Sequence, residues 1–200
     1  TIRAFRMRSE ELAEEVIDGD TRIDEMEIEV EEECLKILAL HTPVAVDLRH
    51  VVAVLKLNND LERMGDIAVS IARRARFLAK RPPVDIPDQF ETMASAVRSM
   101  VKQCLDALIN GDVDMARAVC EEDDHVDDLK REVKQLFRQR IYDDVENLQV
   151  HLKLMDVPRH LERIADLATN VAEDVIYMVT GEIIRHQRVG VLDDHEDENR

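Results

Sequence analysis

Apolar residues recur at three- and four-residue intervals along most of this chain, which is the spacing of amphipathic helices. Leu12, Val16, Ile23, Met26, Val30, Leu35 and Leu38 form the first long stripe, with Ser9 before it as an N-cap. Gly19 interrupts that stripe at a local cost in helix propensity. His41-Thr42-Pro43 then reads as a stop and a new start, with Thr42 as N-cap and Pro43 in the first helical position. The next helix is expected to run to about Leu78, roughly 50 Å at 1.5 Å per residue. Lys80 to Pro87 holds three prolines and reads as a linker.

Beyond the linker the pattern starts again. A helix is expected from about Gln89 to Ile109, and Asn110-Gly111-Asp112 supplies a glycine C-cap and an aspartate N-cap. A long helix follows to about Ile141, and Tyr142-Asp143-Asp144 breaks it. A last helix is expected from about Val145 through Tyr177, reaching toward His186, with a kink at Pro158. The tail from Asp193 to Arg200 has almost no apolar content and is expected to be disordered.

The two stretches are copies. Leu61-Glu62-Arg63-Met64-Gly65-Asp66-Ile67-Ala68 recurs 100 residues later as Leu161-Glu162-Arg163-Ile164-Ala165-Asp166-Leu167-Ala168. The expected fold is therefore all-α, a tandem repeat of two three-helix bundles. A first bundle spans 1–80, a proline-rich linker 81–88, a second bundle 89–188 and an acidic tail 189–200. The first half shows only two full helices and a stub ending in Phe5-Arg6-Met7-Arg8. Two helices bury an apolar face poorly and three close a bundle. The first helix of the first bundle is thus expected to be largely absent, through truncation or processing before Thr1, or replaced by a partner chain.

Composition agrees with this architecture and narrows the function. Apolar residues make up 45% of the chain, aromatics 3%, and there are 5 Gly, 5 Pro and no Trp, as expected of an almost wholly helical protein. The 44 acidic residues against 27 basic ones give a net charge of −17. That argues against nucleic-acid binding and against adhesion to anionic lipid, both of which need a basic face. Cys34, Cys104 and Cys120 are odd in number and widely spaced, as in reduced cytosolic thiols. No apolar stretch approaches the length of a membrane span.

The repeated motif carries candidate chemistry. Residues four apart share a helix face, so Glu62 and Asp66 point one way, as do Glu162 and Asp166, with Asn170 a turn further on and Ser70 as its counterpart. The preceding helix of each half supplies a second row: Asp20 and Asp24, continued by Glu27 and Glu31, and then Asp123 and Asp127. Antiparallel packing would set four carboxylates together in each half. Such an all-oxygen set suits hard divalent or trivalent cations, and four acids exceed the need of one ion, which leaves room for a multinuclear cluster. The bland alternative is a set of solvated acids paired with Arg63, Arg73, Arg74, Arg159 and Arg163. Gly65 and Ala165 allow a close approach or simply pack. Asp47 to His50 reads as a helix-start salt bridge. No Glu-x-x-His pair accompanies the motif, which weighs against oxygen-activating catalysis.

The segments LALHTPVAVDLRHVVAVLKLNNDLERMGDIAVSIA (38–72) and HLERIADLATNVAEDVIYMVTGEIIRH (160–186) resemble the two halves of the PhoU family of phosphate-specific transport accessory proteins. The family's acidic pairs match Asp20/Asp24, Glu62/Asp66, Asp123/Asp127 and Glu162/Asp166. The resemblance implies a cytoplasmic, non-enzymatic negative regulator of phosphate uptake and of phosphate-regulon signalling. It implies contact with a phosphate ABC transporter and a sensor histidine kinase, membrane-peripheral through those partners, a homodimer, and iron or zinc clusters at the acidic pairs. A metal-dependent phosphohydrolase and a purely structural adaptor are the alternatives. Because the second half carries Asn170, it is the half expected to hold metal if only one does.

Overall fold

The computed structural model describes residues 1–184, so the expected disorder of the acidic tail lies outside the described residues. Six α-helices follow in order: α1 (Ile2–Met7), α2 (Glu10–His41), α3 (Ala45–Ala79), α4 (Asp88–Asn110), α5 (Val113–Asp143) and α6 (Leu148–Thr180). A single 3-10 turn, Val145–Asn147, joins the last two, and no strand occurs among the described residues.

Most boundaries have a local chemical cause. Ser9 Oγ accepts the Leu12 N–H at 3.2 Å and opens α2. Gly111, at φ 63°, closes α4 by donating its N–H to the Ala107 carbonyl, and Asp112 caps α5 by accepting from the Met115 N–H at 2.9 Å. Gly181 closes α6 at φ 81°, short of His186. The α6 start is held by Asp144, which accepts from Asn147 Nδ2 and from His151 Nε2, and these bonds hold its carboxyl below the usual range.

One expected boundary is corrected. Thr42 is not the N-cap of α3 but the left-handed C-cap of α2, at φ 42°. Pro43 disfavours a helical conformation at the residue before it, so α2 terminates there. Helix α3 starts at Ala45, itself left-handed at φ 48°, after Val44 as the extended cap residue. Helix α6 continues through Pro158, which is buried.

In each half the two long helices form an antiparallel pair. Glu10 pairs with Lys80, Glu14 with Arg76 at 3.8 Å, and the Glu27 carbonyl accepts from Asn58 Nδ2 at 2.8 Å, which fixes the register of α2 on α3. The short α1 packs on both α2 and α3, just as α4 packs on α5 and α6. Phe5 and Phe90 stack at 4.8 Å, so α1 also meets α4. Arg8 donates to the Leu78, Arg81 and Pro82 carbonyls and closes the end of α3.

The halves share one apolar core, because α3 lies against α6. Two ion pairs bracket that seam: Lys56 with Asp174 at 3.7 Å and Arg74 with Asp156 at 3.2 Å. Lys56 and Asp156 are 100 residues apart, as are Arg74 and Asp174, so the repeat generates both pairs with the signs exchanged. Arg49 is not a helix-start salt bridge; it crosses the seam, donates Nε to the Met178 carbonyl at 3.1 Å and caps α6. An open apolar groove of about 770 Å³, lined by Ile23, Met26, Leu61, Val97 and Val101 among others, runs between α2, α3 and α4.

His160 sits in the α3/α6 seam with both ring nitrogens buried and unpartnered. Burial, reinforced by Arg74, Arg159 and Arg163, lowers its pKa from 6.5 to about 4. A histidine kept neutral by folding stabilises the fold above pH 6.5, and that contribution is lost as the pH falls from 6.5 toward about 4. The expected size is about 2–3 kcal/mol at most. Urea unfolding of wild-type protein and of His160→Leu should show it: the wild type loses this stability between those pH values and the variant does not. Parallel pH profiles would contradict the assignment.

Candidate metal centre

The antiparallel hairpins bring the acid rows together as their spacing requires. In the first patch Asp20 and Asp24 on α2 face Glu62 and Asp66 on α3. Asp20 lies within electrostatic reach of Asp24 and Asp66; Glu62 lies within reach of Asp66, Asp24, Glu27 and Asp20. Burial, and then these like charges, raise the pKa of both Asp20 and Glu62. Arg73 faces Asp20 and opposes the shift there.

Gly65 makes this approach possible. A Cβ at that position would stand 3.0 Å from Asp20 Oδ1 and 3.2 Å from Ile23 Cδ1, tighter than ordinary contact. The close-approach reading of Gly65 therefore holds, and the glycine lets an aspartate of α2 sit over the backbone of α3.

The second patch repeats the arrangement between α5 and α6. Burial and Asp127 raise the pKa of Asp123, against a hydrogen bond from Thr169 Oγ1 at 3.4 Å. Asp166 rises further, to about 6, through burial and then Glu162, Asp123 and Asp127. Here a cation is already in place: Lys130 Nζ donates to Asp127 Oδ1 and to Glu162 Oε1, both at 2.8 Å. Neither Lys130 nor Thr169 belongs to the repeated acidic motif. Lys130 was detectable as the residue one turn beyond Asp127 on the same face. Asn170 stands a turn away from the acids and lines the crevice between α3 and α6 with Lys56 and Asn59.

Of the arginines that could neutralise these acids, Arg73 faces Asp20, while two others have partners outside the patches. Arg63 pairs with Asp60 at 3.6 Å and Arg74 with Asp156. Among the described residues, no group of three or more His, Cys, Asp or Glu side chains stands close enough together to hold a metal ion. Asp20, Glu62, Asp123, Asp127 and Glu162 are half-buried, and Asp24, Asp66 and Asp166 are exposed. All-oxygen donors are of the type hard cations take, but these side chains do not converge on one point.

Comparison with known proteins follows the same division into halves. A family model described as the PhoU domain matches residues 1–75 and 90–175. A phosphate-specific transport system accessory protein PhoU homolog of Aquifex aeolicus is 41% identical over 186 residues, covering 93% of this chain and 84% of that protein. The corresponding homolog of Caulobacter vibrioides is 36% identical, covering 94% and 82%. Among solved structures, PhoU from Pseudomonas aeruginosa superposes with a TM-score of 0.85 at 35% identity, covering 90% of this chain and 87% of that one. The phosphate transport system regulatory protein PhoU from Streptococcus pneumoniae gives 0.82 at 27% identity, covering 91% and 86%.

A carboxyl whose pKa is raised by folding binds its proton more tightly in the native state. Stability linked to Asp166 therefore falls as the pH rises from 3.8 to about 6 and stays low above that. In chelator-treated protein, Asp166→Asn should raise stability at pH 7 by on the order of 1 kcal/mol after solvent screening, or about 2–4 °C in Tm, with the gain vanishing near pH 4. Thermal unfolding at the two pH values checks this; a lower Tm at pH 7 would contradict it.

Proposed function

Because the chain belongs to the PhoU family, we propose that it is a regulatory accessory protein of phosphate transport, a non-enzymatic negative regulator of phosphate uptake and of phosphate-regulon signalling. It acts by contact with a phosphate ABC transporter and a sensor histidine kinase, in the cytoplasm. The observation that carries this reading is the pairing of acid rows across the α2/α3 and α5/α6 seams, at the positions where the family's acidic pairs match. Among the described residues, no helix is long and apolar enough to cross a membrane, which accords with a protein that reaches the membrane only through its partners.

Metal belongs to the same proposal. Asp20, Asp24, Glu62 and Asp66 would hold it in the first patch, and Asp123, Asp127, Glu162 and Asp166 would offer the second. A bound hard cation, as a single ion or an iron or zinc cluster, supplies positive charge that offsets the repulsion and ties two helices together. Gly65 positions Asp20 against α3, and Thr169 orients Asp123. With the seam held, the outer faces present one fixed surface to a partner. A regulator of this kind works through different affinities of two conformational states for its partners. Homodimer formation is part of the reading, supported by apolar side chains such as Met26, Ile28, Leu35 and Leu40 that stand exposed on α2.

Expression in a bacterium lacking its own PhoU-family gene tests the function. The wild-type chain should restore repression of a phosphate-regulon reporter in high phosphate, and Asp66→Asn should restore it several-fold less well at equal protein level. A reporter left derepressed by well-expressed wild-type protein would overturn the proposal.

A further inference from the structure

The seam between α3 and α6 has two ends, related through the repeat by 100 residues, and they differ in charge. Where α3 begins, an open crevice of about 720 Å³ is lined by Lys56, Asn59, Asp60, Asn170, Glu173 and Asp174 among others. The counterparts of these six at the other end are Asp156, Arg159, His160, Ser70, Arg73 and Arg74. Lys56, Glu173 and Asp174 each meet the opposite charge in their counterpart, Asp60 becomes His160 and Asn59 becomes Arg159. One end of the seam is therefore acidic and the other basic.

The basic end gathers around a buried side chain. His160 is 6% exposed, and both of its ring nitrogens lack a hydrogen-bond partner. Arg74, Arg159, Arg163 and Asp156 all lie within electrostatic reach of it. Arg74 donates Nη1 to the Ser70 carbonyl at 2.7 Å and Nη2 to Asp156 at 3.2 Å, while its buried Nε has no partner. The Arg74 and Asp156 side chains are 20% and 37% exposed, so the pair can be reached from solvent. Arg159 and Arg163 are exposed, and among the described residues neither forms an ion pair. The repeat shows why for Arg163. Its counterpart Arg63 pairs at 3.6 Å with Asp60, three residues earlier, whereas the residue three before Arg163 is His160. The adjacent Glu162 is engaged by Lys130 of α5. Three guanidinium groups against one carboxylate leave two positive charges uncompensated, in a chain whose net charge is −17.

We propose that this basic end of the α3/α6 seam binds a small, doubly charged tetrahedral oxyanion of the phosphate type, held by Arg74 of α3 and by Arg159 and Arg163 of α6. The inference is independent of the acid rows and of the regulatory reading. A guanidinium presents paired N–H donors that match two oxygens of such an anion. The bound ion neutralises arginines that the chain leaves unpaired, and it ties α3 to α6. It competes with Asp156 for Arg74, so the aspartate limits the affinity. The unsatisfied donors of Arg74 and His160 are buried between helices, which favours a small ion over an acidic protein segment. The carboxylates at the other end of the seam repel the same ion.

Calorimetric titration of inorganic phosphate into the chelator-treated full chain, at constant ionic strength, tests this. The wild type should bind one phosphate, sulfate should compete for the site, and chloride should not. Arg159→Gln combined with Arg163→Gln, both at exposed positions, should weaken binding at least about tenfold, the equivalent of one charge-assisted hydrogen bond. Arg63→Gln, the equivalent of Arg163→Gln in the first half, should leave it unchanged, and Asp156→Asn should tighten it several-fold. Circular dichroism establishes that each variant is folded. No saturable heat at millimolar phosphate would overturn the inference, as would binding that survives the Arg159/Arg163 double substitution. Chloride that displaces phosphate as well as sulfate does would also overturn it, because the effect would then be general screening.

Discussion

Like charges held across a helix seam are the constraint from which the rest of this molecule can be understood. Each half sets two rows of acids against one another, on an antiparallel hairpin whose register apolar packing has already fixed. The carboxylates cannot relax by sliding the helices, because Asn58 and the ion pairs at the hairpin ends hold α2 on α3. Burial, and then this built-in repulsion, raise the pKa values of Asp20, Glu62, Asp123 and Asp166. In the second half a lysine of the chain itself, Lys130, lies between the rows and pairs with Asp127 and Glu162.

The internal repeat explains how the halves fit together as well as how the patches arose. Duplication of a helix pair places α3 antiparallel to α6 and generates its ion pairs in related twos. Lys56–Asp174 and Arg74–Asp156 occupy equivalent positions with the charges exchanged. The same divergence within the duplicate put glutamate at 27 and lysine at 130. Equivalent backbone positions thus acquired opposite electrostatic roles while the core stayed common to both halves.

Much of this was legible in the sequence. The helices, the Ser9 and Asp112 caps, the glycine stop at 111 and the pairing of the acid rows all follow from local periodicity and spacing, which the fold preserves. What escaped depends on neighbours distant in the chain. Thr42 closes α2 because of the proline that follows, and its likeness to an N-cap concealed this. Arg49 looked local, yet it caps a helix more than a hundred residues away. His160, which directly precedes the second motif, is buried in the α3/α6 seam. Asn170, one turn beyond Asp166, lines the α3/α6 crevice. Lys130 bridges the two rows of the second patch, and as a base it stands outside a pattern of repeated acids.

Elemental analysis of the wild-type chain purified without a His-tag, beside Asp66→Asn purified in the same way, tests whether the acid rows bind a cation. A hard metal at stoichiometric level in the wild type and its loss from the variant are expected. Protein that carries no stoichiometric metal, or the same content in both, would contradict this.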